Sequence, residues 1–288
     1  MTKRFLAILI VCVMALSLSG CGKTAAVKET ERLIGAIGDI TTESVSAVEA
    51  AEAAYSALSD AEKNDVKNYA MLEEAREKLD AALLEALRKS LTGIWTLEMD
   101  VTESLADRTA PLYADQNVSI SDYMEPCSLR MTLELQEDGV YRLTADEAAL
   151  AQIRETLRQA VRACTEEYLL RGIAAELQKT GIEGDFTTRE GIEEAMGKTL
   201  DEIITSTLGM GLDEYAAVSM EGILTDSAEL NAEGRYLVQP DALYLSDTPD
   251  QEPDGTKKAA FSLDGDTLVL EMGKPVFSTT TLEFRRAG

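Results

Sequence analysis

With histidine absent, the side chains left to do chemistry in this chain are chiefly carboxylates, lysines and a few cysteines. Without imidazole there is no Ser-His-Asp or Cys-His nucleophile pair, no His-ligated zinc and no common general base near neutral pH. The 52 Asp and Glu residues supply many carboxylate pairs. A carboxylate becomes a useful acid or base only where burial or a like charge shifts its pKa, and spacing alone singles none out. Asp247, Asp250, Glu252 and Asp254 cluster around Pro249 and Pro253; without the spacing of a calcium loop they read as a solvated acidic loop. Gly197-Lys198-Thr199-Leu200-Asp201-Glu202 and Gly209-Met210-Gly211-Leu212-Asp213-Glu214 are near copies. Capping explains both more simply than a paired cation site: a Gly ends one helix and an acidic first turn opens the next. Cys127 and Cys164 either bridge or stay as separate buried thiols, with free thiols preferred. Asn117-Val118-Ser119 fits a glycosylation acceptor, a pattern too short to carry weight alone. No glycine-rich phosphate loop, CxxC pair or serine elbow occurs. No catalytic residue, metal ligand or cofactor is assigned, and a non-enzymatic protein is expected.

Of the other two cysteines, Cys12 lies in an expected leader and Cys21 just after it. Lys3 and Arg4 precede an uncharged apolar run from Phe5 to Leu16 that contains Cys12, and Leu18-Ser19-Gly20-Cys21 follows. A positive start, a short apolar core and small residues before a cut describe a secretory signal, too short for a spanning helix. The tetrad resembles the lipobox of bacterial lipoproteins. That resemblance implies that residues 1–20 are removed, that Cys21 is lipidated within an anchor at 21–23, and that the protein sits on the extracytoplasmic face of the cell membrane. Acyl chains would have to do the anchoring, since one chain alone binds membranes marginally. The formal charge is −25, and removal of Lys3 and Arg4 takes it to −27. Such a chain repels nucleic acid and anionic lipid headgroups alike, so nucleic acid is not expected as a partner.

Elements must then be found for the rest. Residues 24–90 read as three helices. Val27, Leu33, Ile34 and Ile37 repeat at helical spacing up to Gly38; Val45, Val48, Ala51 and Tyr55 share the next face. Ser59-Asp60-Ala61-Glu62 is a capping box that opens a third helix marked by Val66, Tyr69, Leu72, Ala75, Leu79 and Leu83. Each stripe is apolar on one side, so the helices are expected to bury them mutually. The pattern Tyr55-x-x-Leu58-Ser59-x-x-Glu62-Lys63-x-x-Val66-x-Asn68-Tyr69-x-x-Leu72 resembles the small three-helix modules of Gram-positive surface proteins. It implies a stalk or an adhesive unit.

From Leu91 the period changes to two. Trp95, Leu97, Met99 and Val101 alternate with polar residues, Glu103 to Pro126 reads as a long polar loop, and Leu129, Met131, Leu133 and Leu135 alternate again. Glu137-Asp138-Gly139 turns the chain into a return strand over Val140 to Thr144. Thr144-x-x-Glu147 reads as a capping box for a helix to about Lys179, with Leu150, Ile153, Leu157, Val161, Cys164 and Tyr168 on one face. Thr187-x-x-Glu190 opens another helix with Ile192 and Met196 inward. Strands resume near Ser227: Tyr236 and Val238, Leu243 and Leu245, Phe261 and Leu263, then Leu268, Leu270 and Met272 after Asp264-Gly265-Asp266. Leu282, Phe284 and Arg286 share one face of the last, Ser278 to Arg286. The count is about eight strands.

Eight amphipathic strands in sequence can close into an up-and-down barrel. Gly93-Ile94-Trp95 on the first strand resembles the G-x-W motif of lipocalin-like barrels. The family packs an Arg from near the chain's end across that Trp, and Arg286 is the matching residue by register. The expected fold is α+β: an N-terminal three-helix bundle (24–90), then an eight-stranded antiparallel lipocalin-like barrel (91–288) with a helical insertion (146–222) between the third and fourth strands. The resemblance implies a small, mainly apolar ligand against an interior lined by Leu129, Met131, Leu133, Leu243 and Leu245. The alternative is a barrel filled by its own side chains, in a structural or adhesive lipoprotein whose helices contact another envelope protein.

Overall fold

The computed structural model describes residues 23–114, 117–181, 184–223, 230–276 and 279–288. The proposed signal, Cys12, Cys21 and the strand start near Ser227 lie outside them. The chain divides into two compact units, one ending at Ser90 and one starting at Leu91.

In the first unit, α1 (Ala25–Gly35), α2 (Val45–Ser56), the single turn α3 (Asp60–Lys63) and α4 (Tyr69–Leu91) follow one another. Val27, Ile34, Val48, Ala51, Leu58, Val66, Leu72, Ala75 and Leu79 form one buried apolar cluster, and the Tyr55 and Tyr69 rings stack with centroids 4.2 Å apart. The Ser59–Glu62 capping box forms, yet it caps only α3; the long helix begins at Tyr69. The intervening residues are held out of the helix by α1. Lys67 N donates to the Glu31 carboxylate at 2.8 Å, and Asn68 Nδ2 to the Glu31 carbonyl at 3.0 Å.

The second unit is a closed antiparallel barrel in chain order. Its strands are β1 (Gly93–Asp100), β2 (Ser128–Leu135), β3 (Val140–Ala145), β4 (Ala232–Val238), β5 (Ala242–Leu245), β6 (Lys257–Asp264), β7 (Thr267–Val276) and β8 (Thr279–Arg286). Period-two alternation decides the faces. Trp95, Leu133 and Leu143 stand at one level across β1, β2 and β3, and Leu263, Leu268 and Phe284 across β6, β7 and β8. Because every neighbour is antiparallel, connections after β1, β3, β5 and β7 leave from one end and the short turns after β2, β4 and β6 from the other. The early position of Trp95 in β1 puts it toward the short-turn end.

Long connections are therefore confined to one end. The stretch expected as a polar loop after β1 folds instead into α5 (Thr102–Thr109), followed by helical turns. Leu105, Ala106, Thr109, Tyr113 and Ile120 are buried within it, an apolar set too short and irregular to show helical periodicity. Between β3 and β4 run α6 (Glu147–Thr180), α7 (Arg189–Met196), α8 (Leu200–Leu208) and α9 (Leu212–Ile223). Thr144 does not cap α6; it pairs with Thr132 in the sheet. Asp146 caps instead, its carboxylate accepting from Ala149 N at 2.7 Å. Thr188 and not Thr187 caps α7, and Met196 faces solvent while Ile192 is buried. Gly197 and Gly209 end their helices with φ of 61° and 75°, a left-handed conformation that glycine adopts without Cβ strain. Thr199 and Glu202 form the capping box of α8.

Side chains bind these helices together. The Tyr113 hydroxyl lies 2.9 Å from Thr165 Oγ1 on α6. Asp213 of α9 pairs with Arg158 and Arg162 of α6, and Arg189 of α7 reaches Glu166, Glu193 and Asp201.

Candidate functional site

Three parts of the barrel are candidates, two of them built from residues singled out in the sequence. At the short-turn end, Trp95 is fully buried and Arg286 lies over it, with the guanidinium carbon 4.1 Å from the ring centroid. The strand register brings them together, since Trp95 pairs with Arg286 where β8 meets β1. Arg286 Nη1 also donates to the Thr92 carbonyl at 3.1 Å, and Trp95 Nε1 to the Leu91 carbonyl at 2.8 Å. Gly93 makes room for this: its φ is +134°, and a Cβ there would sit 2.9 Å from Arg286 Nη1. Arg285, one residue earlier, points to solvent and pairs with Glu283 at 2.6 Å.

The interior is the second part. Leu129, Met131, Leu133 and Leu243 are 0%, 1%, 4% and 1% exposed, and Leu245, also on the inner face, is half-buried. Trp95, Leu268 and Phe284 are 0% exposed. A void able to admit even water would leave accessible surface on its walls, so none borders Leu129, Trp95, Leu268 or Phe284.

The third part is absent from the sequence reading. β1 pairs with β2 over all eight of its residues but with β8 only at Trp95–Arg286 and Thr96–Arg285. Beyond Thr96 the two strands separate and leave a cleft of about 640 Å³. Leu97, Met99, Met131 and Leu282 form its floor, and Glu98, Arg130, Asp146, Glu283 and Arg285 stand around it. Arg130 pairs with Glu98 at 3.4 Å. Alternation of residue types runs on past Thr96 in β1 and from Arg285 back to Leu282 in β8, so the pattern does not mark Thr96–Arg285 as the point where pairing stops.

Other reactive groups are occupied or shielded. Cys127 and Cys164 are free and buried; burial raises the Cys127 thiol pKa and pushes that of Cys164 up to about 11. Burial also pushes the Tyr113 hydroxyl up to about 12, against the opposing hydrogen bond from Thr165. In the acidic loop, Asp247 pairs with Lys257, Glu252 with Arg235 at 3.0 Å, and Asp254 accepts from Thr256 N at 2.9 Å. Among the described residues no group of three or more Cys, Asp or Glu could hold a metal ion. Also among them, no helix is long and apolar enough to cross a membrane.

No family model, curated protein or solved structure matches this chain.

Proposed function

We propose that this is a lipid-anchored extracytoplasmic protein, held to the membrane through Cys21, that works by contact with another envelope protein and not by chemistry. In this proposal residues 24–90 form a three-helix stalk module. The lipocalin-like barrel is a solid frame, and α5 to α9 form the lobe it presents. The observation that carries it is the packed interior: Trp95, Leu129, Leu268 and Phe284 have no accessible surface, which leaves no ligand chamber beside them. A filled small barrel is a rigid support. The absence of histidine and the pairing of Asp247 and Glu252 with cations in the acidic loop support a role without catalysis.

Binding of a small apolar molecule stays as a second proposal on account of the cleft between β1 and β8, whose volume lies in the range of small-molecule sites. Native mass spectrometry of the full chain, purified from a bacterial envelope and desalted gently, separates the two. The filled-barrel proposal expects only covalent mass, with acyl chains at Cys21 that persist on unfolding and vanish in Cys21→Ser. A discrete adduct released on unfolding would favour small-molecule binding in the cleft and overturn a role by contact alone.

A further inference from the structure

The geometry points to the β1–β8 seam as a site for strand addition, taking a short extended peptide of alternating small apolar and basic residues. The direction of each peptide group follows from two hydrogen bonds. Ala287 N donates to the Ile94 carbonyl at 2.8 Å. Peptide groups alternate sides along a strand, so those of Ile94, Thr96, Glu98 and Asp100 face β8. Arg286 N donates to the Asp266 carbonyl at 2.9 Å, toward β7, so the peptide groups of Arg285, Glu283 and Thr281 face β1. Strand pairing stops at Thr96–Arg285. Glu98 and Asp100 on one side, and Glu283 and Thr281 on the other, therefore present ladder positions to the cleft with no strand between them.

One of these positions shows what the edge lacks. The Thr279 hydroxyl donates to the Thr281 carbonyl at 3.0 Å and accepts from Thr281 N at 3.1 Å. A side chain there stands in for the missing neighbour's peptide group. An exposed sheet edge is a template for an added strand, whose main chain supplies affinity and whose alternate side chains supply selectivity.

The walls define those side chains. The unpaired part of β1, Leu97 to Asp100, spans about 13 Å at the rise of a strand, room for roughly four residues. Inward residues would meet Leu97, Met99, Met131 and Leu282. Leu282 and Met131 are each only 1% exposed, so the floor is shallow and suits valine, threonine or alanine. Outward residues would lie among Glu98, Glu283 and Asp146, with Arg130 and Arg285 already paired to Glu98 and Glu283. On a chain of formal charge −25, a cationic segment is drawn in and an acidic one repelled. The inference is independent of any role for the helical lobe.

The test is titration of the full chain into a fluorescein-labelled peptide of sequence Lys-Val-Lys-Val-Lys-Val, amidated at its C-terminus, read by anisotropy. Two comparators leave the protein untouched: the same peptide N-methylated at alternate residues, and one with Glu in place of Lys. Saturable binding is expected, weakened at least tenfold by N-methylation and by the acidic swap, with slowed amide exchange at Glu98, Asp100 and Glu283. No saturation at millimolar concentration, equal binding of the N-methylated peptide, or protection confined to other strands would overturn the assignment. So would protection of the cleft by decanoate with no binding of the peptide, which would mark a site for small apolar molecules.

Discussion

Replacing Arg286 by Ala removes several interactions, three of which have sizes that can be set from the geometry. The guanidinium lies 4.1 Å from the Trp95 centroid and is 31% exposed, which places the stack in the upper part of the range, about 1–2 kcal/mol. The bond from Nη1 to the Thr92 carbonyl adds about 1 kcal/mol. The pair with Asp266 is 3.6 Å long and Asp266 is 84% exposed, so solvent screening leaves it about 0–0.5 kcal/mol. The expected loss is therefore about 2–3.5 kcal/mol, or roughly 4–14 °C in the unfolding midpoint of a unit this size. Trp95 is the only tryptophan in the chain, so its fluorescence during denaturant unfolding reports the barrel unit alone. Arg286→Lys keeps the charge but loses the planar stack, and should recover less than half of the loss. Asp266→Ala should cost almost nothing, and raising the salt should leave the Arg286→Ala deficit largely unchanged. Full recovery in Arg286→Lys, or an equal deficit in Asp266→Ala, would refute the stack as the main contributor.

Gly93 and Tyr113 carry two further predictions. Gly93→Ala should destabilise the barrel by about 1–3 kcal/mol, because its positive φ strains any L side chain and Arg286 Nη1 stands where the Cβ must go; unchanged Trp95 fluorescence midpoints would contradict this. Tyr113 should ionise in the folded protein at about 12, and ultraviolet titration of wild type against Tyr113→Phe isolates its signal. The unfolded chain releases that proton near the ordinary tyrosine value. Tyr113 thus contributes stability that is intact below about pH 10 and is lost as pH rises toward 12.

Much of the barrel was readable because alternation has a fixed period and a strand shows only two faces. The resemblance to lipocalin-like barrels supplied an Arg over Trp95, and the parity that Arg286 shares with Leu282 and Phe284 chose it over Arg285. Helix starts were less readable, since several residues compete for one cap. Thr144 lost to Asp146 because β3 runs one residue further and keeps Thr144 in the ladder. Ser59 did form its box, but contacts from Glu31, more than thirty positions away, stopped that helix after a turn. Met196 sits at helical spacing from Ile192 yet faces water, because Gly197 ends α7 before anything packs over it. The cleft had no local signal at all. It depends on where two strands far apart in sequence stop pairing, and residue types do not encode that.

Closure of the barrel joins residues 189 positions apart, at Thr96 and Arg285. Seven of the eight strands can pair with a neighbour already made, but β1 keeps one edge open until β8 arrives. During synthesis the chain emerges from its N-terminal side, so β1 waits through the whole helical insertion with that edge uncovered. Ring closure over so long a loop is entropically slow. The seam between β1 and β8 is thus the last part of the molecule to form and the first place at which a foreign strand could interfere with its folding.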